Sequence, residues 1–445
     1  TVQLASGASQ SGFGRTGTVD WQTGSIKTAT FTAATGEGYF CNTAGGAFEV
    51  DLPAGAAGSI VSIQDYNNTF DTYALSIDPN GSEKINGGDA GAPITLSTQG
   101  QGVTFVYIDS TVGWRSVQDN TFDAAGSNYI AASGGTETTC GDYKIHTFTG
   151  PGTFTVTAAG SPTGSNGSEY LVVAGGGGGG AEFSASVGGG GAGAGGLRFA
   201  SPSLAPATYP AKPLAAPANL ALSATAYPII VGAGGTAPSS PGTTAPGSVS
   251  TFSTITSAGG GGGGNTDGSP EPLNRAGRPG GSGGGGSHSN TGGNGNDPPT
   301  SPAQGNPGGA NNPPGPGPYY MGAGGGGFIA AGENTLPGAG GAGGDGGGFP
   351  TAFGSNGVPC GSFRYYAGGG GGGGSTNRPG TGPAGAGGKG GGAAGGAGQN
   401  PAPAAATTNS GGGGGGAGNR YPGGATLTGS NGGSGIVIIR YKFQN

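Results

Sequence analysis

Two rhythms of apolar and polar positions divide the chain. Up to about residue 120 they alternate in short runs: Ile26 to Thr32, Tyr39-Phe40-Cys41, Ala47 to Leu52, Ile60-Val61-Ser62-Ile63, Leu75-Ser76-Ile77, Ile94-Thr95-Leu96 and Val103 to Ile108. A period of two is that of a strand with one buried face. Turn signals separate the runs, among them Pro53-Ala54-Gly55, Pro79-Asn80-Gly81-Ser82 and Gly100-Gln101-Gly102. Seven short strands so spaced predict an antiparallel all-β domain over 1–120, a small β-sandwich or jelly roll, with no α-helix needed.

After a polar connector (121–144), the second rhythm occupies 145–445. It opens with a hairpin pattern, Lys144 to Val156, and then repeats one grammar: an apolar strand running straight into a block of glycine. Tyr170-Leu171-Val172-Val173-Ala174 leads into Gly175–Gly180, Phe252 to Ala258 into Gly259–Gly264, and Tyr365-Tyr366-Ala367 into Gly368–Gly374. The last block passes through Gly435 into a closing strand, Ile436 to Phe443. About a dozen blocks occur, most of 6 to 11 residues.

Composition sharpens the problem. Of 445 residues 115 are Gly and 33 are Pro, against typical usage near 7% and 5%. Such a chain is disordered by default, because it cannot bury enough side chain to offset its ordering entropy. Two features oppose disorder: only 8% of residues are charged, and strand-like segments bracket the glycine runs. Collagen is excluded, since Gly does not recur at every third position (Ala339-Gly340-Gly341-Ala342-Gly343-Gly344-Asp345). Glycine can instead adopt the polyproline II conformation, about 3.1 Å per residue with three residues per turn, and present N–H and C=O groups radially. Packed side by side, such helices bond to one another and form a core of backbone hydrogen bonds. Blocks of this length would span about 19–34 Å. A polyglycine II helix bundle is the leading expectation; other β-rich packing and flexible linkers are the alternatives.

The runs Leu171-Val172-Val173-Ala174-Gly175, Ile230-Val231-Gly232-Ala233-Gly234-Gly235 and Gly435-Ile436-Val437-Ile438-Ile439-Arg440-Tyr441 resemble the glycine-rich domain family of phage tail fibres and adhesins. Residues 25 to 118 resemble small β domains of marine-phage structural proteins, on Phe48 to Pro53, Ile63 to Phe70, Leu75 to Gly81, and Phe105 to Ile108 with Gly113-Trp114-Arg115. The resemblance implies a virion tail-fibre or extracellular receptor-binding protein. Its first domain would attach or assemble, and loops at one end of the glycine scaffold would bind a host cell-surface glycan or protein. It also implies other fibre proteins as partners, and a homotrimer or a monomeric tip. The alternative is a structural virion decoration or self-assembling filament that binds no receptor.

On that reading function lies in what interrupts the glycine blocks, because loops on a rigid scaffold carry recognition. The candidates are Tyr319, Tyr320, Phe349, Phe353, Phe363, Arg364, Tyr365, Tyr366, Arg378, Arg420 and Tyr421, with Arg278 beside them. Tyr and Arg give large contact area plus hydrogen bonds. The plainer reading is that half of these aromatics cap the bundle ends. Residues 1–170 hold 15 acidic and 5 basic residues, net −10, whereas 171–445 hold 6 and 10, net +4, which suits an anionic partner for the second part.

Other chemistry finds little support. Cys41, Cys140 and Cys360 lie far apart without metal-ligand spacing, and form at most one disulfide. Asp267 and Glu271 are the only acidic pair close in sequence within the glycine-rich part, and His146 and His288 have no Ser/His/Asp context. The GxGxxG matches lack a strand–loop–helix frame. No enzyme, cofactor, metal or nucleic-acid role is expected. No run approaches the ~20 apolar residues of a membrane span, so a membrane-embedded chain is not expected either. The chain starts at Thr1 rather than Met, which leaves room for removed residues, an export signal included.

Overall fold

The computed structural model describes residues 19–118, 129–161, 164–183, 187–204, 208–239, 242–266, 274–311, 321–375, 382–398, 403–419 and 427–444. The chain divides into two compact units, Thr1–Ser127 and Asn128–Asn445. Both are all-β; the helical content of the described residues is three 3-10 turns, at Pro202–Leu204, Lys212–Leu214 and Thr351–Phe353. Among these residues no helix is long and apolar enough to cross a membrane.

Unit 1 contains β1 (Asp20–Trp21), β2 (Phe31–Thr32), β3 (Glu37–Cys41), β4 (Glu49–Asp51), β5 (Ile60–Asp65), β6 (Leu75–Asp78), β7 (Ile94–Leu96), β8 (Gly102–Asp109) and β9 (Gly113–Ser116). The alternating runs form strands as expected, but their directions correct the antiparallel prediction. Strands β1–β6 go alternately to two sheets, ordered β1-β3-β5-β8-β9 and β2-β4-β6-β7. Within each sheet the first three strands pair in parallel, Glu37 opposite Val61 and Val50 opposite Ile77. The chain therefore winds like a coil, and only β7–β9 close it with antiparallel pairs. Each coil places its alternate residues inward, so the sheets share one core that includes Cys41, Val50, Val61, Ile63, Ile77, Phe105 and Trp114. Alternation shows which face a residue takes but not which strand lies beside it.

Unit 2 contains β10 (Ile130–Ser133), β11 (Thr136–Cys140), β12 (Tyr143–Phe148), β13 (Gly152–Ala159), β14 (Gly167–Val173), β15 (Leu197–Ala200), β16 (Leu220–Ala221), β17 (Ala226–Ile230), β18 (Ser250–Phe252), β19 (Ile255–Ser257), β20 (Gly347–Pro350), β21 (Val358–Cys360), β22 (Phe363–Tyr366) and β23 (Ile436–Lys442). Residues 130–144, read above as connector, are thus strands of this unit. Its sheets are ordered β10-β13-β17-β18-β19, β11-β12-β23-β14-β15 and β20-β22-β21, with β16 also on β14. The second sheet is the middle layer. Tyr170, Val172, Val437, Ile439 and Tyr441 face a core shared with the first sheet, while Leu171, Val173, Ile436 and Ile438 face one shared with the third. A strand buried on both faces needs no polar alternation, which is why Leu171–Val173 and Ile436–Ile439 are continuous apolar runs. The closing strand β23 lies between β12 and β14, with Ile439 opposite both His146 and Tyr170.

The glycine blocks leave these sheets end-on. From Gly189 to Gly196 every backbone N–H donates, and the acceptors change with a period of three. Gly189, Ala192 and Gly195 donate to Ala417, Gly414 and Gly411; Gly190, Gly193 and Gly196 donate to Gly264, Gly261 and Ala258; Gly191 and Ala194 donate to Ala323 and Gly326, all at 2.8–3.0 Å. The carbonyls of the same stretch accept from Gly180, Gly177 and Ala174, from Gly373 and Gly370, and from Gly285 and Ser282. One segment is thus bonded to six neighbours, three by donation and three by acceptance. Three residues per turn with radial bonding is polyglycine II geometry. Its segments run in both directions, and the bundle core is backbone rather than side chain.

Candidate recognition surface

The bundle has two ends of different construction. At the sheet end, side chains cap the first turns of the glycine helices. Ser250 Oγ donates to Val173 O (2.8 Å) and accepts from the Gly232 N–H (2.9 Å), and Ser257 Oγ donates to Val172 O (2.8 Å). Gln304 Oε1 accepts from the Ala258 N–H (2.8 Å). These groups satisfy backbone that has left the sheet and not yet entered the bundle.

The opposite end is located by the bonds Gly180 to Gly190 (2.9 Å), Gly190 to Gly264 (2.8 Å), Gly264 to Gly285 (2.9 Å) and Ala417 to Gly180 (2.8 Å), which set these residues at one level. Just beyond it lies a layer of buried polar side chains: Glu182, Asn265, Thr266, Ser287 and Asn419. Asn265 Oδ1 accepts from the Ala181 N–H (2.8 Å), Thr266 Oγ1 from the Phe183 N–H (3.0 Å), and Ser287 Oγ donates to Asn265 O (2.5 Å). Single bridges tie Glu182 to Leu427 and Ser375 to both Gly382 and Asn419. Asn311 donates to Asn290 O (2.9 Å) beyond Ser287, and Gly322 to Gly373 O (2.8 Å) level with Gly189, so Asn311 and Met321 stand at this distal end with Ser375, Gly382, Asn419 and Leu427.

The expected binding residues divide accordingly. Tyr319, Tyr320, Arg378, Arg420 and Tyr421 lie outside the described residues, between those distal flanks. Phe349, Phe353, Phe363, Arg364, Tyr365 and Tyr366 belong to the third sheet and its 3-10 turn, at the other end of the bundle. Phe349, Phe353 and Tyr366 are fully buried, and Phe349 packs edge-on against Phe199 (4.8 Å), Phe353 (5.8 Å) and Tyr366 (5.9 Å). As recognition residues they are corrected: their ring area is spent on the core between the middle and third sheets. Tyr365 is 9% exposed and covers Gly348, while Phe363 packs partly on the same core. Arg364, opposite Phe349 in the register, is half-buried. Arg278 is also half-buried, its Nη2 donating to Asn274 Oδ1 (3.3 Å). Burial raises the Tyr366 hydroxyl far above the ordinary tyrosine range, and that hydroxyl has no hydrogen-bond partner among the described residues.

The titratable groups of the sheets serve structure. His146 is fully buried; its Nδ1 donates to Gly134 O (2.7 Å), so its bare Nε2 accepts from the Tyr441 hydroxyl (3.0 Å). Burial lowers its pKa. Arg440 and Glu169, opposite each other on β23 and β14, form a buried ion pair. The Glu169 carboxylate also accepts from the Ser203 N–H (2.7 Å), and the Arg440 guanidinium lies 3.5 Å from the Tyr143 ring centre. In unit 1 Glu49, Asp51 and Asp78 bring carboxylate oxygens within 4.8 Å of one another on adjacent strands. Burial and the two neighbouring carboxylates raise the Glu49 pKa. All three cysteine thiols are free, Cys41 buried and Cys140 and Cys360 exposed.

Unit 2 is therefore a three-layer β structure joined end-on to a hydrogen-bonded glycine bundle. The family model of the glycine-rich domain matches residues 147–442, and the chain belongs to that family. No curated protein matches the chain.

Proposed function

We propose that the chain is a receptor-binding component of a virion tail fibre or related extracellular adhesin, non-catalytic, acting through the distal end of the glycine bundle. The observation that carries this reading is that the flanks Asn311 and Met321, Ser375 and Gly382, and Asn419 and Leu427 meet at one end of a backbone-bonded scaffold, opposite the β layers. Such a bundle fixes the positions of these flanks while leaving the sequences between them free to vary. Tyr319, Tyr320, Arg378, Arg420 and Tyr421, which fall in sequence between those flanks, supply the aromatic and guanidinium chemistry common at binding hot spots. The +4 net charge of 171–445 favours an anionic cell-surface glycan. Unit 1 attaches or assembles, in a trimer or beside a single-chain tip. The fluorescently labelled protein should bind a subset of a bacterial panel. Replacing Arg378, Arg420 and Tyr421 with Ala should abolish that binding without changing the melting curve. Filaments that form without cell attachment, in the unmodified protein, would favour the purely structural alternative instead.

A further inference from the structure

Unit 1 presents a rigid aromatic loop that the proposed distal surface does not use. It joins β5 to β6 across residues 66–74 and is anchored from below. Asp65, 5% exposed at the end of β5, accepts from the backbone N–H groups of Asn67 (3.3 Å), Thr69 (3.2 Å), Phe70 (3.2 Å) and Gly100 (3.0 Å). Phe70 is fully buried in the unit's core, and the Thr43 and Thr69 hydroxyls bond at 2.9 Å. The Tyr66 N–H donates to Cys41 O (2.9 Å) and the Tyr73 N–H to Thr69 O (2.8 Å).

On this fixed backbone stand Tyr66, 54% exposed, and Tyr73, 45% exposed. Every other tyrosine among the described residues is buried or half-buried. Beside them Asn67, Asn68, Asp71 and Thr72 are exposed. Neither ring belongs to the unit's core, which this loop enters through Phe70. What the loop offers outward is two exposed tyrosine rings, neighboured in sequence by exposed amide, hydroxyl and carboxylate side chains, on a backbone held by hydrogen bonds before any ligand arrives. Preorganised tyrosine gives contact area at low entropic cost.

We infer that this loop is a carbohydrate-binding site for uncharged saccharides. The C–H face of a pyranose would pack on Tyr66 or Tyr73, with Asn67, Asn68 and Asp71 as partners for its hydroxyls. Charge selects against anionic sugars here: residues 1–127 carry 12 acidic and 4 basic side chains. The site is independent of the distal surface and opposite in its charge preference.

Isothermal titration of the full chain with cellotetraose, maltotetraose, mannotetraose and chitotetraose, with sialyllactose as the anionic probe, tests it. Saturable binding of at least one neutral tetrasaccharide is expected, and none of sialyllactose. Tyr66→Ala or Tyr73→Ala should weaken that binding about tenfold, the loss expected for one aromatic contact. The melting midpoint of unit 1 should not move. The triple variant of Arg378, Arg420 and Tyr421 should bind the tetrasaccharide normally, so this site and the distal one stand or fall separately. No neutral saccharide bound at millimolar concentration, or binding that survives both tyrosine changes, would overturn the inference. Recovery only of a protein ligand through these tyrosines would overturn it equally.

Discussion

A single methyl group placed inside the glycine bundle should act like a core mutation, although no side chain surrounds it. Gly190 donates to Gly264 O (2.8 Å), and Gly264 donates to Gly285 O (2.9 Å). A Cβ on Gly190 would stand 2.8 Å from Gly285 C and 3.0 Å from Gly264 N, with the Gly285 oxygen nearer still. Those atoms are backbone in neighbouring segments and cannot rotate away. Overpacking a rigid interior costs roughly 1–3 kcal/mol, and two hydrogen bonds pushed off geometry add about 1 kcal/mol each. Gly190→Ala should therefore destabilise unit 2 by about 3–5 kcal/mol. At about 2–4 °C per kcal/mol for a domain near this size, the melting midpoint should fall by about 6–20 °C. Gly150→Ala is the control: nothing lies within 4 Å of its Cβ and its φ is outside the left-handed region, so the variant should match or slightly exceed the parent. Calorimetry of both variants measures the difference. A Gly190→Ala protein melting with the Gly150→Ala protein would refute the packing described for the bundle.

Three further changes probe the sheets. Glu169→Gln leaves Arg440 buried without its counter-charge and should cost about 3–5 kcal/mol in denaturant unfolding, whereas replacing both residues with Met should recover much of that loss. His146 is held neutral, with a folded pKa below its unfolded value near 6.5. Below about pH 6.5 the unfolded chain gains a proton that the fold resists, so unit 2 stability should fall as pH drops from about 6.5 and be fully present above it. His146→Gln should flatten that slope in pH-dependent unfolding. Tyr366→Phe removes a buried hydroxyl without a partner and should leave stability unchanged or raise it by about 1 kcal/mol on melting.

The strands were legible because their side chains report a face: Val61 and Ile63 inward on β5, or Phe105 inward on β8, follow from period two alone. The parallel winding of β1–β6 was not, because its partners are set by how coils stack and each strand looks the same either way. The middle layer of unit 2 was half legible. Ile436–Ile439 read as a strand, but its place between β12 and β14 joins residues almost the whole unit apart. For the glycine blocks, sequence gave the kind of packing and not the pairing, since one run of glycine carries no mark of its neighbour. The aromatics near those blocks misled for a similar reason. Phe349 and Tyr366 stand beside glycine in sequence as loop residues would, yet strand pairing turns them into the core. Tyr66 and Tyr73 carry no local mark of their exposure, and the Asp65 bonds that hold their loop cross a sequence gap, to Gly100, that no local pattern encodes.

The central claim is that backbone hydrogen bonds form the core of the bundle. Gly175 to Gly180 all donate, in order to Ser248, Gly433, Gly193, Ala245, Ser430 and Gly190, at 2.9–3.0 Å. Amide hydrogen exchange across this run measures the claim directly. All six consecutive amides should be protected and should exchange together, with the cooperative opening of unit 2. Exchange at the rate of an unstructured glycine peptide, with the flanking β14 still protected, would contradict it.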